Sequence, residues 1–105
     1  MDEHTRNEYV SKFQSEMLEI VSNAVKRVNN FSSASTFVSD VDAMQADMDK
    51  QIDELTKRYT AIPGLEDAMK DSNIMDQMEL HLAPAMQALS EALNEKTKEL
   101  VGGDD

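Results

Sequence analysis

Apolar residues recur at steps of three and four along most of this chain, the spacing that lines one face of an α-helix. Val10, Phe13, Met17, Ile20, Ala24, Val28 and Phe31 set the rhythm. Thr5 stands three residues before Glu8, the arrangement of a capping box in which two side chains satisfy free backbone N–H groups at a helix start. Together they predict a first helix from Asp2 or Thr5 to about Asn29. The polar stretch around Phe31 then favours a turn and offers Ser32, Ser33 or Ser35 as the next N-cap. Phe37, Val41, Met44, Met48, Ile52, Leu55, Tyr59 and Ile62 resume the helical spacing. That second helix should end near Thr60, because Pro63 disfavours helical backbone in the residue before it and Gly64 follows.

The third segment is less regular. Projected at about 100° per residue, Met75, Met78, Leu82, Met86, Leu89 and Leu93 form one stripe, read as core. Asp71, Ser72 and Asn73 compete for backbone hydrogen bonds and are expected to break the segment, and Pro84 to kink it or begin a new helix. No strand-like alternation persists for a useful length. The expected fold is therefore all-α: an elongated antiparallel bundle of three segments, the third kinked or split near Ser72 and Pro84. Residues 1–101 are read as one bundle domain and 102–105 as a flexible acidic tail.

At 105 residues and 11.8 kDa, the chain is short enough that support from a partner is a reasonable expectation. Its net charge is −11, of which −7 falls in residues 63–105. Such a field repels phosphates and anionic lipid, so neither direct nucleic-acid nor membrane binding is expected. The chain has no cysteine, which excludes thiol chemistry and thiolate zinc sites. A charged N-terminus and the lack of a long apolar run suggest a cytoplasmic protein, or a nuclear one in a eukaryote.

The candidate chemistry thins out when placed on helices. The Met-rich stretch around His81 carries soft ligands, but its methionines share the leucine stripe while His81 lies off its edge, so they do not converge on a metal. Asp40, Asp42, Asp47, Asp49 and Asp53 lack the glycine and alternating spacing of a calcium loop. The residue three before His81 is Met78, which removes the Glu-x-x-His motif of di-metal bundles. With glycine only at Gly64, Gly102 and Gly103, no phosphate-cradling loop exists. No catalytic residue, cofactor, metal or small-molecule substrate is expected, and the chain is read as a non-enzyme.

What remains is association with another protein chain, identical or different, by helix packing: a subunit, adaptor or regulator. Two alternatives are an acidic inhibitor that mimics nucleic acid and a small export or assembly chaperone. Mimicry meets a spacing problem, since acids seven residues apart on a helix sit about 10.5 Å apart, against about 3.4 Å for phosphates along a DNA strand. Leu18, Val21 and Val25 widen the apolar face of the first helix to roughly 180°, more than a one-sided helix needs. That flank is either covered by both neighbouring helices or is the partner-binding surface, and the second option is the expectation carried forward.

Overall fold

In the computed structural model, which describes residues 1–102, the first helix, α1 (Glu3–Asn29), is capped three residues before the Thr5 of the capping box. Asp2 is its N-cap, and the Asp2 carboxylate accepts the Thr5 N–H at 2.7 Å. That hydrogen bond holds the carboxyl below its ordinary range. Glu8 is thereby free of capping duty and reaches back to His4 at 3.1 Å.

After α1, Phe31 folds inward and meets Phe37 edge-to-face, with ring centroids 6.2 Å apart. The second helix, α2 (Phe37–Thr60), starts at Thr36, whose hydroxyl donates to the Asp40 carboxylate rather than to backbone. It stops where Pro63 and Gly64 were expected to stop it. Gly64 has a φ of +84°, a conformation that a side chain opposes. A single short helix, α3 (Leu65–Met69), follows and buries Leu65 and Ala68. Asp71 then accepts the N–H groups of Asn73 and Ile74 and opens α4 (Ser72–Val101), so the expected split at Ser72 is present. At Pro84, in contrast, no new helix begins. Pro84 and Leu80 both lie on the exposed side, where water can satisfy the carbonyl that proline leaves without a donor. Gly102, at φ +88°, caps α4, and residues 103–105 of the expected tail lie outside the described residues.

The long helices run up, down and up, with α1 in the middle. It packs against both α2 and α4, which make no comparable contact with each other. Two apolar clusters hold the rod. One joins Val21, Ala24 and Val28 of α1 to Phe37 and Met44 of α2 and to Leu89 and Ala92 of α4. The other joins Val10 and Phe13 to Leu55, Tyr59, Leu65, Ala68 and Ile74, so that all four helices meet there. Arg27 reaches Asp47 at 2.7 Å and adds a polar tie between α1 and α2.

The shape follows from this layout. The rod measures 56 × 22 × 17 Å, and its radius of gyration is 16.7 Å, against about 13 Å for a compact chain of this length. Its accessible surface is 6933 Å², where a compact monomer of 11.8 kDa would show about 5,900 Å². The chain is an all-α bundle with more surface than its mass requires.

Candidate functional site

The core stripe of α4 is not the one that large side chains suggested. Ile74, Leu89 and Ala92 are buried, and Met78 and Ala85 pack partly buried against the same clusters. Met75 and Met86 are instead 46% and 49% exposed, and Leu80 is 76% exposed. Relative to the expected stripe, the buried face is turned by about 60° at 100° per residue. The turn has a packing cause: Ala85 and Ala92 lie in the contact with α1, where small side chains let two helix axes approach. The larger side chains on one flank are left at the rim.

Rotation of α4 also decides the fate of the α1 flank. Val21 is 2% exposed and belongs to the cluster that contains Leu89 and Ala92. Val25 packs partly buried against that cluster, and Leu18 is partly buried beside it in sequence. Of the three residues expected to face a partner, Val21 is therefore core. The wide apolar face of α1 exists because the helix has neighbours on two sides, the first of the two options its width allowed.

Exposed apolar surface is found on α2 and α4 instead. Val41, Met48 and Ile52 on α2, and Leu82, Met86, Leu93 and Leu100 on α4, are all incompletely buried. By helical projection these two rows lie on the same side of the layer, flanking α1. The opposite side, although Leu80 of α4 is exposed away from the apolar row, is polar between α1 and α2. There the seam between α1 and α2 forms a shallow depression lined by Glu16, Glu19, Asn23, Gln51, Glu54 and Arg58 together with Ile20 and Leu55. One side of the bundle thus carries two partly covered apolar rows, while the seam between α1 and α2 on the other side is hydrophilic.

Tyr59 donates its hydroxyl to Glu16, whose carboxylate also lies 3.7 Å from the Arg58 guanidinium. Burial, then the hydrogen bond to Glu16 and its charge, push the Tyr59 pKa up to about 12. This is a structural tie between α1 and α2. Because the folded state holds the phenol proton more tightly than the unfolded chain, its contribution is complete below pH ~10 and is lost as pH rises from ~10 to ~12. The urea midpoint is expected to fall over that window, and Tyr59→Phe should flatten the fall while lowering the neutral-pH stability by about 1 kcal/mol. An unchanged alkaline slope in the variant would remove Tyr59 as its cause.

His81 is exposed, and no group of three His, Asp or Glu among the described residues is placed to hold a metal ion. No described helix is long and apolar enough to cross a membrane. Comparison with protein-family models, with curated proteins and with solved structures finds no match to this chain.

Proposed function

We propose that this chain is a protein–protein interaction module that acts by packing helices against a partner. The observation that supports the reading is the unfinished side of the bundle. Two helices flank a third and touch each other only marginally, and apolar side chains along both of them are only partly covered. An exposed apolar surface of this kind is a liability in a protein that works alone and a docking surface in one that does not. The excess of accessible area over that of a compact monomer fits the same reading.

The flank expected to face a partner, Leu18, Val21 and Val25 of α1, has Val21 buried against α4, so the surface proposed here lies on α2 and α4 instead. The width of the α1 face is the signal that α1 has neighbours on two sides. The reading is tested by capture from the native host with full-length protein and with Leu82→Glu. Leu82 is only partly buried, so the variant should keep its helix content by circular dichroism. A partner recovered by the parent chain and lost with Leu82→Glu supports the proposal. Identical recoveries, or none with either chain, contradict it.

A further inference from the structure

The open side has a chemistry that selects its occupant. Its floor is α1, with Met17 partly buried, and its walls are Met48 and Ile52 on α2 and Leu82, Met86 and Leu93 on α4. From Leu82 to Leu93 the wall runs about 16 Å along the axis, the length of three helical turns. Beyond the apolar rows the rims are acidic. Asp42 and Asp49 project outward from the α2 row, and Asp76 and Glu79 from the α4 row, all exposed. None of the four takes part in an ion pair among the described residues. On α2, Lys50, Lys57 and Arg58 project away from this side, and α4 has neither Lys nor Arg from Ser72 to Glu95. The cleft is apolar along its middle and negative along the α2 edge, and on the α4 side it is negative at the end that precedes Leu82.

We propose that this cleft receives an amphipathic helix of another protein whose apolar face is bordered by Lys and Arg. Docked between α2 and α4, such a helix would complete a four-helix bundle: its apolar face covers the open rows, and its flanking cations meet unpaired carboxylates at the rims. A second copy fits less well, because it would bring another set of acidic rims and another −11 of charge against the first. The inference rests on the interaction reading and adds the partner's charge and conformation to it.

The test uses the full-length protein and two labelled helical peptides with the same leucine face, one carrying lysines on its flanks and the other glutamates. The lysine peptide should bind about tenfold or more tightly than the glutamate peptide, and its affinity should fall as sodium chloride rises. Met86→Arg should weaken lysine-peptide binding by about tenfold or more. Ser15→Arg adds the same charge on the polar side of α1, at an exposed position, and should change binding by less than about threefold. Both positions are solvent-accessible, and circular dichroism checks that each variant is folded. Equal weakening by the two variants means diffuse charge attraction and overturns the proposal. So does equal affinity for both peptides, or binding of neither. If neither peptide binds while Leu82→Glu still abolishes capture of a native partner, the interaction reading stands and only the basic helix is refuted. If the chain forms dimers that Met86→Arg dissociates, the occupant is a second copy, and the basic-helix proposal fails.

Discussion

Replacing Val21 with Glu is expected to remove most of the stability of this protein. Val21 is 2% exposed and lies among Ala24, Val28, Leu89 and Ala92, with no polar partner in the cluster. A carboxylate placed there has to ionise in an apolar site or stay protonated without hydrogen bonds, and either costs several kcal/mol. The lost packing of the valine adds to that. Domains of this size are stable by about 5–15 kcal/mol, so the substitution consumes a large part of the total. Circular dichroism with urea titration checks it, and the same substitution at partly exposed Leu18 should be much milder. A Val21→Glu protein with its midpoint unchanged would return that flank to the surface and contradict the central position of α1.

Phe13→Ala is expected to cost about 3–5 kcal/mol, equivalent to a fall in melting temperature of roughly 12–40 °C for a chain of this length. Phe13 is 3% exposed and meets the Tyr59 ring edge-to-face, at a centroid distance of 5.3 Å. Residues of all four helices meet in its cluster, to which α3 contributes Leu65 and Ala68. The cavity therefore weakens the attachment of α3 and the start of α4 together. With only five residues, α3 has little helical stability of its own to maintain its position. Differential scanning calorimetry reads the shift, and a loss below about 1 kcal/mol would mean that the site collapses around the missing ring.

The ends of the long helices were legible where local chemistry marks them. Pro63 and Gly64 stop α2, and Asp71 opens α4, because backbone restriction and capping act within a few residues. The start of α1 was blurred for the same reason: Asp2 and Thr5 are both competent caps, and in the fold it is Asp2 that accepts the Thr5 N–H. The candidate surface was not legible. Periodicity reveals how wide an apolar face is, but not which helix covers it, so the flank containing Val21 could be mistaken for a free surface. On α4, the large residues Met75 and Met86 dominated the projected stripe, while close packing used Ala85 and Ala92. The separation of α2 from α4 has no local sequence signal, since it depends on how both settle against α1.

Methionine side chains supply reporters for the central claim, that the side between α2 and α4 is where a partner docks. Met48 and Met86 stand on its two walls and Met17 on its floor, whereas Met44 is buried at 1% exposure and Met1 lies beside Gly64, at the turn into α3. The most direct measurement is a methyl NMR titration of the full-length protein, assigned at its methionines, with the lysine-flanked helical peptide. The Met48, Met86 and Met17 methyl resonances should shift together, at one apparent affinity, while Met1 stays in place. Shifts concentrated at Met1 or Met69, or all resonances unmoved at saturating peptide, would contradict docking between α2 and α4.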